Sequence, residues 1–171
     1  MKYCLTEKCR VDFVAYAPMH TFKGWTTKGL SGFVDVDFSK KRLHHIEAVS
    51  LTEFFDTGYD DRNKAMVDFF DLKRNSESSF TMTECREFSD AGKSVYKVVV
   101  LGILDFAGIR RQLPLTCYLK DNGDMITLDI SFKWSFKAYG IKAPRLLFLT
   151  VRDIVDISAR LEFKKEEERY E

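Results

Sequence analysis

The sequence predicts a mainly β protein, an antiparallel barrel of about eight strands with one short helix packed on it. Three observations carry this. Leu128, Ile130, Phe132, Trp134 and Phe136 alternate with Asp129, Ser131, Lys133, Ser135 and Lys137, and period-two alternation puts apolar and polar side chains on opposite faces of a strand. Leu113, Leu115, Cys117 and Leu119 repeat the pattern on the other side of Asp121-Asn122-Gly123-Asp124, and Asn-Gly accepts the positive φ angles of a tight hairpin. Only Asp60–Phe70 shows helical spacing, with Ala65, Met66, Phe69 and Phe70 on one face.

The other elements follow in order. Cys9, Val11, Phe13 and Ala15 share one face of a strand that Pro18 ends. Gly24, Gly29 and Gly32 interrupt the next aromatic stretch, which suggests turns, bulges or a sharply bent strand. Val34, Val36 and Phe38 alternate with Asp35 and Asp37, and Ser39-Lys40-Lys41-Arg42 turns the chain into a strand from Ile46. Asp60 or Asp61 is expected to cap the helix, since a carboxylate accepts from its free N–H groups. Phe80–Phe88 is a strand turned by residues 89–93. Val95–Leu104 is apolar on both faces, as for a strand covered on both sides by, for example, the helix. Val155, Ile157, Ala159, Leu161 and Phe163 alternate in the last strand. Many antiparallel strands with short turns suit a sandwich or a closed barrel, and long strands favour the barrel, because closure leaves no exposed edge. Residues 1–163 form the expected barrel domain and 164–171 a charged, frayed tail.

The chain's 171 residues suit one domain. Its 27 basic and 26 acidic residues give no case for a nucleic-acid partner, which requires clustered basic excess. No apolar run is long enough to span a membrane, and no apolar leader is visible. A cytoplasmic location is expected of the chain as written, or a periplasmic one if a leader has been removed. Cys4, Cys9, Cys85 and Cys117 form no CxxC pair and fit no zinc spacing with His20, His44 and His45. Free thiols are expected, with Cys4–Cys9 and Cys85–Cys117 as the alternative bridges.

No nucleophile elbow, zinc-protease helix or P-loop is present, and no catalytic residue or metal site is predicted. Asp153 and Asp156, three apart on a strand, face opposite ways, so one of them reads as a turn cap and the other as a solvated group. Arg62 at the helix start reads as an ion-pair partner or a headgroup contact. Phenylalanine is abundant, with 15 copies. Its stripes suit a filled core and a ligand-lined cavity equally, because small barrels do either.

Four stretches together resemble the YceI-like proteins, a lipocalin-like group of bacterial polyisoprenoid-binding proteins. Gly102-Ile103-Leu104-Asp105-Phe106-Ala107-Gly108-Ile109-Arg110-Arg111 resembles the family's G-x-L-T-[IL]-x-G-[VI]-[TR]-[KR]. Arg62-Asn63 with Phe69-Phe70-Asp71, Tyr139-Gly140-Ile141, and Val151 to Ile157 resemble its helix, its FGI turn and its final strand. Asp105 stands at a usual Thr, Arg110 at another, Phe136 at a usual Arg and Ala65 at a frequent His.

The resemblance implies an eight-stranded lipocalin-like barrel around an apolar tunnel. It implies carriage or storage of an isoprenoid or fatty-acyl lipid as ligand, with no further cofactor and no catalysis. An enzyme acting on a bound lipid, and a filled barrel used as a protein-interaction module, are the alternatives. The expected wall comprises Phe13, Phe22, Trp25 and Phe33, then Met66, Phe69 and Phe70 of the helix. Leu104 and Phe106 continue it, with Leu128, Ile130, Phe132, Trp134 and Phe136. His20, Arg62, Arg110 and Arg111 are the expected headgroup contacts. Exposed aromatics allow a homodimer without requiring one.

Overall fold

The computed structural model describes residues 1–167. Its strands are β1 (Lys2–Ala17), β2 (His20–Thr26), β3 (Leu30–Asp37), β4 (Arg42–Leu51), β5 (Glu77–Gly92), β6 (Val95–Phe106), β7 (Ile109–Asp121), β8 (Met125–Ser135), β9 (Arg145–Leu146), β10 (Leu149–Thr150) and β11 (Ile154–Lys165). The helix, α1, spans Asp60–Phe70, and short 3-10 turns occupy Thr52–Phe54 and Lys137–Tyr139.

Antiparallel pairing runs β1-β3-β4-β5-β6-β7-β8-β11, and β11 pairs back onto β1, closing an eight-stranded barrel. β2 is an additional strand. It takes the far half of β1, from Val11 to Ala17, while β3 pairs only with Lys2–Cys4. The opening this leaves between β2 and β3 is crossed by the segment after β4. Leu51 N–H donates to Gly29 O at 2.9 Å, and Trp25 and Asp56 exchange backbone bonds of 2.8 Å. A close approach of β3 to β4 requires Gly32, since a Cβ there would run into the Glu47 carbonyl.

The hairpin of β7 and β8 turns at Asn122–Asp124, where Gly123 takes φ +85° and its N–H donates to Asp121 Oδ1 at 2.9 Å. The arms pair only from Cys117–Asp121 against Ile126–Ile130 and part beyond. The 136–140 turn is tied to the wall across this wedge. Tyr139 Oη donates to Leu104 O at 3.1 Å, and Arg111 Nε donates to Ala138 O at 2.9 Å.

Inward side chains lie level on adjacent strands. Phe13, Ile157 and Phe132 form one level, Val11, Ala159 and Ile130 the next, and Cys9, Leu161 and Leu128 a third. One end of the barrel is filled by Tyr3, Val34, Val36, Val98, Leu119 and Ile126, each at most 1% exposed. Each such burial contributes about 1.5–3 kcal/mol. At that end Phe38 stacks on Tyr96, and Phe88 packs edge-on to Phe38 and tilted against Tyr96. A second apolar cluster, with Ala17, Phe22, Trp134, Phe136, Tyr139, Val151 and Val155, sits at the other.

Several local expectations are corrected. α1 has the expected limits, but its N-cap is Tyr59 with no side-chain cap bond. Asp60 and Asp61 fall inside the first turn, where their charge suits the helix dipole. The outer face of β6 is half-buried at Val99, Leu101 and Ile103, not covered by the helix. α1 packs instead through Phe69 and Phe70 on Phe106, Trp134 and Phe136. β5 runs on to Gly92 through three bulges before turning. β11 extends through Lys164 and Lys165, paired with Cys4 and Tyr3, so the expected tail is strand at its start. Residues 168–171 lie outside the described residues. All four cysteines are free thiols, and among the described residues no helix is long and apolar enough to cross a membrane.

Candidate functional site

Between the filled end and the aromatic end the barrel is hollow. The cavity is about 450 Å³, within the ~300–1,000 Å³ range of small-molecule sites. It exists because small residues occupy wall positions. Ala15, Ala48, Ser50, Ser78 and Ala159 all line it, where larger side chains would meet across the lumen. Gly24 has a related role. The Phe13 ring lies over it, in the space a Cβ would take.

Of the expected wall, Phe13, Phe22, Met66, Phe69, Phe70, Leu104, Phe106, Leu128, Ile130, Phe132, Trp134 and Phe136 line the cavity. Trp25 and Phe33 do not, which corrects the reading. Phe33 lies on the face of Asp35, outside the barrel, against His45 and beneath Lys2 Nζ. Trp25 lies on the face of Lys23, with the Arg10 guanidinium 5.6 Å from its ring centre. Each ring sits one residue from an inward position, and a one-residue step reverses the face.

Among the expected polar contacts, Arg62 lines the cavity, and His20, Arg110 and Arg111 do not. His20 packs edge-on against Phe22 with ring centres 4.6 Å apart. Arg111 holds the 136–140 turn by its bond to Ala138 O. Arg62 forms no ion pair among the described residues. Its guanidinium stands 4.4 Å from the Tyr59 ring centre and 5.3 Å from that of Phe22, held by cation–π attraction.

The sequence reading missed Val11, Ile157 and Ala159, although alternation from Phe13 and Val155 reaches them. It also missed Phe55, Thr57 and the stretch Pro144-Arg145-Leu146, which line the mouth from loops and the two-residue strand β9, all too short for a periodic signal.

Four aromatic rings meet at the mouth. Phe70 stacks parallel to Phe136, 6.2 Å between centres, and meets Phe106 edge-on at 5.0 Å. Trp134 meets Phe136 at 4.7 Å and Phe106 at 5.5 Å. Trp134 is 7% exposed, yet its Nε1–H has no hydrogen-bond partner, and neither has the Ser50 hydroxyl. The Tyr139 hydroxyl donates to Leu104 O and lies near the indole N–H, but outside hydrogen-bond geometry. Burial pushes its pKa up to about 12, and the Trp134 N–H acts in the opposite direction. Cys117 also faces the cavity, and burial holds its thiol at about 12, which keeps it an unreactive wall group.

Carboxylates brace the mouth from outside. Asp153 accepts from Ser135 Oγ at 2.6 Å and Lys137 N–H at 2.8 Å, fixing the turn that carries Phe136 and Tyr139. Asp56 accepts from Asn63 Nδ2 at 3.0 Å and Gly58 N–H at 2.8 Å, fixing the start of α1. Asp156 accepts from Lys133 Nζ at 2.8 Å and Tyr16 Oη at 2.6 Å. So one of the pair, Asp153, caps a turn as expected, while the other, Asp156, is engaged and not merely solvated. These bonds hold all three carboxyls below the usual carboxylate range. Their stabilisation is complete above the unfolded value of about 4 and disappears as pH falls through the lower folded values. The melting temperature is therefore expected to be flat near neutrality and to fall in acid below about pH 4. Asp153→Asn is expected to reduce that acid slope. Identical pH profiles for the variant and the parent protein would contradict this assignment.

Among the described residues no three His, Cys, Asp or Glu side chains gather to hold a metal. The chemistry on display is apolar enclosure with a few polar atoms at one end.

Comparison with known proteins agrees with this architecture. Comparison with curated proteins gives no match. Among solved structures, the chain is similar to BcnA of Burkholderia cenocepacia, at 21% identity and TM-score 0.74, over 92% of this chain and 98% of that one. It is similar to a polyisoprenoid-binding domain from Saccharophagus degradans implicated in plant cell wall breakdown, at 17% identity and TM-score 0.78, over 96% and 98%. A Campylobacter jejuni YCEI protein matches at 17% identity and TM-score 0.64, over 82% and 83%. At these identities the likeness concerns the fold. The family model of the YceI-like domain matches residues 6–163, nearly the whole barrel, and the chain belongs to that family.

Proposed function

We propose that the barrel binds and carries one long-chain lipid, isoprenoid or fatty-acyl, without transforming it. The observation that supports this reading is the cavity itself, about 450 Å³ in volume and walled almost entirely by alkyl and aromatic groups. A chain in such a space gains about 0.8 kcal/mol per buried methylene with few directional contacts. The likeness of the fold to a solved polyisoprenoid-binding domain supports the same ligand class. Arg62 at the mouth is the group suited to a polar or anionic headgroup. Native mass spectrometry of the purified protein, followed by organic extraction, is the direct test. A bound lipid of defined mass is expected. Protein recovered empty, with no rise in melting temperature on adding long-chain alcohols or acids, would overturn the proposal.

The unpartnered Trp134 N–H and Ser50 hydroxyl extend the reading to the ligand's chemistry. A buried donor without an acceptor costs about 1–3 kcal/mol, and an oxygen on the lipid would satisfy it. Geranylgeraniol is expected to bind more tightly than a hydrocarbon of the same length. Trp134→Phe is expected to narrow that gap about five- to tenfold while leaving hydrocarbon affinity nearly unchanged. Titration of both ligands into both proteins measures it, and equal losses for the two ligands would assign Trp134 a packing role only.

A further inference from the structure

We propose that the mouth end of the barrel docks on a lipid bilayer bearing anionic headgroups, with Met19, Leu147 and Phe148 inserted at its interface. This rests on the lipid-carrier reading for its purpose, but not for its evidence. β9 and β10 form a two-residue hairpin whose tip is Leu147-Phe148, at φ +50° and +62°. Such a turn favours Asn-Gly, which takes positive φ without strain. Here it displays two large apolar side chains, 60% and 94% exposed. Met19, at φ +57° in the turn between β1 and β2, is fully exposed. The two loops belong to one end of the barrel. Arg152 N–H donates to Tyr16 O at 2.7 Å, and Ala17, Phe22, Leu146, Leu149 and Val151 share one apolar cluster. Single exposed apolar residues are ordinary, but several gathered at one end of the barrel mark a contact surface.

The charge around them selects the partner. Residues 137–152 contain Lys137, Lys142, Arg145 and Arg152 and no Asp or Glu. All four are exposed, and none forms an ion pair among the described residues. Asp60, Asp61 and Asp68 belong to α1, while Asp153, which follows the stretch, is engaged by Ser135 Oγ and Lys137 N–H, and Asp156 by Lys133 and Tyr16. The hairpin side is thus the side that faces anionic headgroups. A symmetric contact with a second copy would set these cations against each other. Apolar insertion flanked by exposed cations without ion-pair partners is the pattern of a bilayer-surface contact. Pro144, Arg145 and Leu146 also line the cavity, so docking would present its mouth to the bilayer, the source or destination of a lipid cargo.

Co-sedimentation of the full chain with vesicles tests this. The protein is expected to bind phosphatidylcholine vesicles containing phosphatidylglycerol about tenfold or more better than phosphatidylcholine alone. Binding should weaken as salt rises from about 0.05 to 0.3 M. Met19→Ser with Phe148→Ser should lose about tenfold or more of the binding, with melting temperature and bound lipid unchanged. Lys142→Glu with Arg145→Glu should lose the phosphatidylglycerol preference. Failure to bind anionic vesicles, or full binding by the serine variant, would overturn the proposal. So would a dimer in sedimentation equilibrium that Phe148→Ser dissociates, since the face would then join two copies. Vesicle binding by protein that never holds a lipid would leave docking standing and overturn the carrier reading instead.

Discussion

Tryptophan in place of Ala159 is expected to abolish lipid binding while the barrel stays folded. Ala159 lies on β11 between Ile130 of β8 and Val11 of β1, midway along the wall, and its methyl borders the cavity. An indole there enters open space instead of packed core, so the usual cost of overpacking is avoided. Cavity filling stabilises proteins in general, and the melting temperature is expected to hold or rise. The ligand loses the room for several methylenes. At about 0.8 kcal/mol each, four displaced methylenes cost roughly 3 kcal/mol, more than a hundredfold in affinity. Native mass spectrometry should show the variant without the adduct carried by the parent protein. An undiminished adduct would mean that the lipid binds elsewhere.

The second large effect is expected from Phe70→Ala. α1 buries no residue completely, and most of its apolar hold on the barrel passes through Phe70, against Phe106, Trp134 and Phe136. Removing the ring should cost about 2–3 kcal/mol of helix docking, at the lower end for a large aromatic because Phe70 is only half-buried. The closed sheet does not depend on the helix, so the effect should be local. Hydrogen exchange is expected to rise across residues 56–76 with the strands unchanged, and bound lipid should leave at least about tenfold faster. A uniform rise in exchange across the strands would instead make Phe70 part of the global core.

Both effects depend on positions that differ in how far the sequence revealed them. The helix limits, the Asn122-Gly123 turn and the inward faces of β8 and β11 were legible, because each rests on local periodicity or a turn residue with a specific φ. Phe33 and Trp25 were misplaced although the signal was present. Val34 and Val36 alternate with Asp35 and Asp37, which already puts Phe33 on the aspartate face. The Gly102–Arg111 stretch and Tyr139-Gly140-Ile141, which carried the family resemblance, now have physical roles. Gly102 lies under the Phe80 ring, and the 136–140 turn spans the wedge where β7 and β8 part.

By itself, then, the sequence determined an antiparallel β protein and most of its apolar faces, since alternation is a property of neighbours along the chain, and its long strands favoured a barrel over a sandwich. It left filled and hollow interiors equally open. Tertiary structure decided between them, because a cavity depends on which residues meet across the lumen. Ala15, Ala48 and Ala159 come from β1, β4 and β11, far apart in sequence, and only closure of the sheet sets them around one space. The same holds for the mouth, where Arg62, Trp134 and Arg145 converge from a helix, a strand and a hairpin that share no local pattern.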